Sequence, residues 1–265
     1  MNWKVVPVVL GMLISFGSVQ AFDHSHERWD ALTKRHVVWL SGGHASQLDY
    51  AAIKTERAQL KVYLDALSAV TQPEYDGWKK PEQLAFLLNA YNAYTVDLIL
   101  TEYPNVKSIK DLGSLIASPW KKKFFTLLGK PHSLDDVEHG TIRAPGAFDE
   151  PRIHMAANCA SIGCPALRNE AFVADKLDAQ LEDSVVRFLS DRSRNRFNTQ
   201  TNRLEVSRIF DWYGKDFSSR SGSVAAWLTR YADKLADDAK AIASIRDAKV
   251  RLAFLDYDWA LNDRK

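Results

Sequence analysis

Residues 82–103 read EQLAFLLNAYNAYTVDLILTEY. The stretch is apolar nearly all round at the helical period, which predicts a helix buried on every side at the centre of the fold. Two amides, Asn89 and Asn92, lie inside it, and a buried amide costs stability unless it is hydrogen-bonded. They either brace a neighbouring loop or orient reactive groups, and the sequence leaves both roles open.

The segments around this helix predict more helix than sheet. Apolar residues at helical spacing predict further helices over 22–46, 47–70, 134–143, 175–190, 209–217 and 223–244. Turn signals predict hairpins at Gly129-Lys130 and Thr201-Asn202, and alternation predicts a last strand over 249–255. The predicted fold class is α+β, mainly helical with a small antiparallel sheet. A distant papain-like or transglutaminase-like arrangement is one form that this class can take.

The first 21 residues, MNWKVVPVVLGMLISFGSVQA, have the pattern of a secretory signal peptide. A lone charge at Lys4 precedes a short apolar run, and small residues precede a cleavage point after Ala21. An uncleaved anchor is the alternative, but the run is short for a span of roughly 20 residues. We therefore expect a periplasmic or secreted protein. Its single α+β domain is predicted over 22–265, with an N-terminal helical part at 22–80, a core carrying the candidate site at 81–190, and a C-terminal part at 191–265.

The composition argues against nucleic acid as a partner. The chain has 35 Lys and Arg against 33 Asp and Glu, and its one short basic run is Lys121 to Lys123. A nucleic-acid surface requires a clustered basic face. No second apolar run of spanning length follows the signal peptide, so no membrane span is predicted after cleavage. The expected partner is a small-molecule, peptide or glycan substrate of unknown identity.

Groups capable of chemistry concentrate over 138–165, which reads EHGTIRAPGAFDEPRIHMAANCASIGCP. The stretch holds both cysteines of the chain. A cysteine becomes a nucleophile when a neighbouring imidazolium stabilises its thiolate. We predict Cys159 as the nucleophile, His139 as the general base and Glu138 as its orienting group, with Asp135 or Asn92 as alternative orienting groups. The small residues after Cys159 would leave backbone N–H groups free to form an oxyanion hole.

Further residues are predicted to shape this site. His154, five positions before Cys159, is a second candidate base. The predicted supporting residues are Asn89, Asn92, Arg143 and Asn158.

Three other interpretations of the stretch stay open. A Cys159–Cys164 disulfide is favoured by export and would silence the nucleophile. A redox-active cysteine pair is the second. A metal site built from His139, His154, Cys159 and Glu138 is the third, but no CxxC, HxH or HExxH spacing supports it. The sequence therefore predicts no metal and no cofactor.

Several blocks of the chain resemble the family known as domain of unknown function 547, found in exported bacterial proteins and in plants. The blocks are LLNAYNAYTV at 87–96, SLDDVEHGTIR at 133–143, EPRIHMAANCASIGCPAL at 150–167, IFDWYGKDF at 209–217 and YDWALN at 257–262. The family typically has Trp where Phe86 stands, which is a packing change. Plant members often carry Ser at the position of Cys164. That similarity implies that a 159–164 disulfide is not a family requirement, and it favours Cys159 as the functional cysteine.

Two functions from different classes follow. The first is a thiol-dependent hydrolase or an acyl or peptidyl transferase using Cys159 and His139. The second is a non-catalytic binding module of the cell envelope with a structural polar cluster. In that case Trp78, Trp120 and Trp212 would line a ligand or glycan groove.

Overall fold

The computed structural model describes Met1, residues 21–114 and residues 117–264. The predicted signal peptide lies outside this part of the chain apart from its first and last residues. Within the described ranges, no helix combines the length and the apolarity needed to cross a membrane.

The centre of the fold is helix α5, Lys80–Leu100, in which every residue from Gln83 onward is buried. The helix begins with Pro81 in its first turn, where a missing N–H costs nothing. The Glu82 carboxylate accepts a hydrogen bond from the Lys79 N–H at 2.8 Å and so caps the start. Burial of each large apolar side chain stabilises the fold by about 1.5–3 kcal/mol. The prediction of a central buried helix is confirmed.

The other helices pack around α5 and toward the C-terminus. Their bounds are α1 Glu27–His36, α2 Tyr50–Thr55, α3 Arg57–Ala69, α4 Gln72–Asp76, α6 Leu177–Ser190, α7 Ile209–Trp212, α8 Gly214–Ser218, α9 Val224–Leu228, α10 Ala232–Leu235 and α11 Ala239–Arg246. A π-helix spans Asp136–Ile142 and a 3-10 helix spans Pro151–Met155. Further 3-10 turns lie at Ser41–Gly43, Ile109–Leu112, Pro119–Lys121, Ala174–Lys176 and Thr229–Tyr231.

The strands form three small sheets in the described part of the chain. Their bounds are β1 Val37–Trp39, β2 Ser46–Leu48, β3 Phe125–Leu127, β4 Lys130–His132, β5 Arg196–Asn198, β6 Arg203–Ser207 and β7 Arg251–Leu255. The first four make two antiparallel hairpins, and β5 pairs antiparallel with β6. Strand β7 joins β6 in parallel, with Leu204 opposite Leu252. The mainly helical α+β class is confirmed, and the largest of these sheets is mixed rather than purely antiparallel.

Four predicted helices are interrupted. The stretch 47–70 divides into α2 and α3, and the stretch 209–217 divides into α7 and α8. The helix predicted over 22–46 ends at His36, because the β-branched pair Val37-Val38 extends and Gly42 turns the chain at φ 82° into a hairpin. The stretch 223–244 divides into α9, α10 and α11. Asp238 caps the start of α11 by accepting from the Ala241 N–H at 2.9 Å.

Two apolar cores meet beside the segment that holds the cysteines. The larger core surrounds α5, and the smaller one surrounds β6, with Phe210 and Phe217 fully buried in it. The end of the chain then crosses the cysteine segment: the Ile162 N–H donates to the Ala260 carbonyl at 2.8 Å. This crossing brings the late aromatic residues of the chain over the cysteines.

Candidate active site

A cavity of about 250 Å³ opens beside the cysteine segment. Four predicted site residues border it together, namely Cys159, His139, Glu138 and His154. Cys164 borders it as well, although it was predicted only as a disulfide partner. Six aromatic side chains form much of the remaining wall: Tyr91, Trp120, Trp212, Tyr213, Tyr257 and Trp259.

The sulfurs of Cys159 and Cys164 are bonded to each other, and the chain has no other cysteine. The Cα atoms of the two residues lie 6.2 Å apart, within the range that a disulfide spans. Cys164 is buried and Cys159 is half-buried. The structure therefore contains the Cys159–Cys164 disulfide, one of the states that the sequence left open. Cys159 can act as a nucleophile only after this disulfide has been reduced.

Hydrogen-bond donors converge on Sγ of Cys164. The Cys159 N–H lies 2.9 Å from this sulfur and the Tyr257 hydroxyl lies 3.1 Å from it. The Ser161 hydroxyl lies 3.2 Å from the Tyr257 oxygen and can donate to it. A Cβ at Gly163 would lie 2.9 Å from the Tyr257 ring, so only glycine allows this approach. Burial raises the pKa of Tyr257, which keeps the hydroxyl protonated as a donor.

The turn after Cys159 does not present the free N–H groups that were expected for an oxyanion hole. The Ala160 N–H donates to Oδ1 of Asn158 at 2.9 Å. The N–H groups of Ile162 and Gly163 both donate to carbonyls of the chain end at 2.8 Å. The expectation was wrong for these groups, because the returning chain end takes up the donors that a small-residue turn offers.

His154 is the buried histidine of the cavity. Its Nε2 lies 2.8 Å from Oδ2 of Asp216, and its ring stacks on Tyr213 with centroids 3.8 Å apart. Burial lowers the pKa of His154, and the hydrogen bond to Asp216 offsets this only in part. Burial would raise the pKa of Asp216, but hydrogen bonds from His154 and Arg143 outweigh it and hold that pKa below its usual range.

His139 is exposed and lies beside Asp135, one of the alternative orienting groups, and not beside Glu138. Its Nε2 lies 3.5 Å from Oδ1 of Asp135, one helical turn earlier, and Arg143 contacts its other ring nitrogen. Glu138 instead turns inward, and only 6% of its surface is exposed. After burial, the charge of Glu138 is the next largest cause of the raised pKa values of Tyr91 and Tyr213. The geometry therefore gives Asp135, not Glu138, the position of an orienting group for His139.

The predicted supporting amides act as braces. Asn92 donates to the Ala156 carbonyl at 3.0 Å and accepts from the Asn158 N–H at 2.8 Å. Asn158 in turn donates to the Pro165 carbonyl at 2.7 Å, which closes the cysteine loop at its base. Asn89 bonds both backbone groups of Phe172 in the same manner, at 2.7 and 3.0 Å. These contacts are the bracing role that was left open for Asn89 and Asn92.

Arg143 lies next to the cavity without bordering it. Its guanidinium binds Asp216 through two hydrogen bonds, at 2.6 and 3.0 Å. The central carbon of this guanidinium group, Cζ, lies 4.8 Å from the centroid of the Tyr213 ring. Arg143 therefore fixes the carboxylate that faces His154.

Sequence reasoning missed several residues of the site. Of the blocks at 209–217 and 257–262, only Trp212 is predicted from the sequence to line a groove, yet these blocks also supply Tyr213, Asp216, Tyr257 and Trp259. The available signal was the mixture of tyrosine, tryptophan and aspartate in two short blocks. Trp78, predicted in a groove with Trp120 and Trp212, packs instead on Phe22 and Phe86 at the N-terminal end of the fold. That part of the groove prediction was wrong.

Over residues 21–114 and 117–264, no group of three or more histidine, cysteine, aspartate or glutamate side chains is arranged to hold a metal ion. The fold and the site together define a mainly helical α+β protein with a disulfide in the wall of an aromatic cavity.

Residues 75–189 match the model of the family described as "Protein of unknown function, DUF547", and over this range the chain is similar to that family. The resemblance is thereby confirmed for the blocks at 87–96, 133–143 and 150–167, which lie within the match. A search of the curated proteins and a search of the solved structures found no significant match. The aromatic residues contributed from 209 onward lie beyond the matched range.

Proposed function

We propose that the cavity is a thiol-dependent reaction site in which Cys159 is the reacting sulfur and Cys164 is its resolving partner. The observation that carries the proposal is the position of the pair in the cavity wall. Cys159 is half-buried there while Cys164 is buried. Partial exposure of one sulfur is typical of reactive cysteines.

The reaction that this arrangement supports is thiol–disulfide exchange with a dithiol substrate. A substrate thiolate attacks Sγ of Cys159, the bond between the two cysteine sulfurs breaks, and its electron pair moves onto Sγ of Cys164. The second substrate thiol then displaces Cys159 from the mixed disulfide. The substrate loses two electrons and two protons and becomes a disulfide, while the cysteine pair becomes a dithiol.

The donors around Cys164 support this direction of attack. A thiolate leaves faster when its charge is stabilised. The Cys159 N–H, at 2.9 Å, is placed to donate to the charge that develops on Cys164. The Tyr257 hydroxyl lies 3.1 Å from this sulfur and 3.3 Å from Sγ of Cys159, so it can donate to either. Attack on Cys159 is therefore favoured on two grounds, access and the quality of the leaving group.

The predicted hydrolase or acyl or peptidyl transferase is a variant of the same proposal. In the reduced protein, Cys159 would attack a carbonyl with His139 as the base. That both residues border one cavity supports it. The engaged N–H groups of the turn weigh against it, because they offer no stabilisation to an oxyanion.

The second candidate is the non-catalytic binding module of the cell envelope. Four clustered aromatic side chains in the cavity wall favour it: Trp120, Trp212, Tyr257 and Trp259. The same rings would hold a substrate in the first proposal, so they do not separate the two.

We further propose that the protein is exported to the periplasm or secreted. The pattern of residues 1–21 is the basis of this proposal. A disulfide in the chain is compatible with an oxidising compartment, where such bonds persist.

The test is the reactivity of the disulfide in the folded protein. Purified oxidised protein is treated with dithiothreitol in native buffer, quenched with iodoacetamide at intervals, and analysed by peptide mass spectrometry. We expect complete reduction without denaturant, with Cys159 alkylated ahead of Cys164. With glutathione disulfide, the reduced Cys164→Ser variant should retain one glutathione on Cys159.

The matched control is the reduced Cys159→Ser variant, which should take up little glutathione because Cys164 is buried. A disulfide that resists reduction until denaturant is added would overturn the proposal in favour of the binding module. An acyl adduct on Cys159 from an aryl thioester, lost in His139→Ala, would favour the hydrolase or transferase over exchange.

A further inference from the structure

We propose that the cavity binds the ammonium group of an organic cation, held between the carboxylate of Glu138 and the aromatic side chains of the wall. This deepens the proposed function by naming the group that the substrate carries, and it rests on that function only in taking this cavity as the reaction site. Four features of the cavity support it.

The charges of the cavity wall are negative. Asp135 and Glu138 border it, whereas no lysine or arginine of the described ranges does. The buried His154 favours its neutral form, because burial lowers its pKa. A cation entering the cavity therefore meets two carboxylates, while Lys110, which does not border the cavity, lies against the ring of Trp259.

The Glu138 side chain is nine-tenths buried, and its hydrogen-bond partners there are the neutral hydroxyls of Tyr91 and Tyr213 and not a basic counter-ion. Its exposed fraction is 6%, and no basic side chain in the described parts of the chain lies within 4.0 Å of its carboxylate. The guanidinium of Arg143 is committed to Asp216 instead. A buried carboxylate is costly unless it is paired, so an incoming cation gains from supplying the missing partner.

The aromatic cluster of Trp120, Trp212, Tyr257 and Trp259 offers several ring faces close together. Ring centroids lie 4.5 Å apart for Tyr257 and Trp259 and 5.6 Å apart for Trp212 and Trp259. The faces of such rings are electron-rich, and rings grouped around a cavity are a known way to hold quaternary ammonium ligands.

One ring of this cluster already holds a cation within the chain. The Lys110 ammonium lies 3.8 Å from the centroid of Trp259. The cluster is thus positioned where a positive charge is stabilised. A volume of about 250 Å³ limits the occupant to a small cation or to the end of one side chain.

The test compares cations with neutral molecules of the same shape by isothermal titration calorimetry. Choline is matched with 3,3-dimethylbutan-1-ol, and Nα-acetyl-lysine amide is matched with Nα-acetyl-norleucine amide. We expect at least one cation to bind at least ten times more tightly than its neutral match. Preference for choline indicates a free quaternary amine as the ligand, and preference for the lysine derivative indicates a peptide side chain.

Variants locate the binding. Glu138→Gln should weaken binding of the cation at least tenfold and leave the neutral match unaffected. Glu102→Gln, an exposed carboxylate outside the cavity, should bind as the wild type does. If Glu138→Gln fails to fold, Trp259→Leu serves as the second variant and should weaken binding of the cation alone.

Equal affinity for cation and neutral match, no binding of either cation, or an unchanged Glu138→Gln variant would each overturn the inference. The Cys159→Ser/Cys164→Ser protein separates this failure from failure of the proposed function. Cation binding should persist in it although sulfur exchange cannot. Exchange without cation binding in the wild type would remove this inference and leave the exchange proposal standing.

Discussion

The hydroxyl of Tyr257 lies 3.1 Å from Sγ of Cys164, a residue 93 positions earlier in the chain. Gly163 allows the ring to approach, and burial keeps the hydroxyl protonated. The contact connects the end of the chain to the one disulfide of the protein. The same hydroxyl lies 3.3 Å from Sγ of Cys159, so it can stabilise a thiolate on either sulfur.

Replacing Tyr257 by phenylalanine should slow reduction of the disulfide by glutathione about tenfold or more. A hydrogen bond to a charged group contributes about 1.5–3 kcal/mol, and the developing thiolate on Cys164 would lose it. The rate is followed by alkylation and mass spectrometry under native conditions. Tyr231→Phe, which removes a hydroxyl bound to Glu182, should retain the wild-type rate. Equal rates in the two variants would show that the contact plays no part in exchange.

Reduction of the disulfide should lower the free energy of unfolding by about 2 kcal/mol. The estimate follows from the small loop that the bond closes, five residues in sequence separation, on the chain-entropy account. Urea denaturation with and without a phosphine reductant measures it. The Cys159→Ser/Cys164→Ser protein should be insensitive to the reductant. A loss well above this value would mean that the bond mainly supports the fold and not chemistry.

Asn92→Ala should lower the free energy of unfolding by about 2–6 kcal/mol. The substitution leaves the Ala156 carbonyl and the Asn158 N–H without partners in a buried region, at a cost of about 1–3 kcal/mol each. Chemical denaturation gives the value. Asn105→Ala, an exposed position, should stay within about 0.5 kcal/mol of the wild type. A small loss at Asn92 would mean that water replaces the amide.

His154→Gln should reduce the dependence of stability on pH below 6.5. Burial lowers the pKa of His154 in the folded protein, so below its ordinary value of 6.5 the unfolded chain binds the proton more readily. The part of the free energy of unfolding that is linked to His154 is therefore fully present above pH 6.5. It falls as the pH drops, by at most about 1.4 kcal/mol per pH unit for one group. His26, whose pKa burial lowers to about 3, adds to the slope in both proteins. Denaturation at pH 5.0 and 7.5 measures the difference, and identical slopes would contradict the assignment.

Local sequence was enough to predict the central helix and the short hairpins. Helix α5 is apolar on every side, so any placement that exposed one of its faces to water would be unfavourable. The hairpins at Gly129 and at Thr201-Asn202 follow from turn residues that few other structures accommodate. The helix predicted over 22–46 could not be placed correctly in this way. Whether Val37 to Trp39 extends depends on its pairing with Ser46 to Leu48.

Residue patterns alone predict a mainly helical protein that resembles the DUF547 family over residues 75–189, with reactive residue types concentrated near the cysteines. Which of those residues face one another depends on the packing of distant segments. Asp216 reaches His154 across 62 positions, and Tyr257 reaches Cys164 across 93. Periodicity reports which face of a segment is buried, but the partner on that face depends on how distant segments pack. Glu138, predicted beside His139, therefore points into the cavity instead.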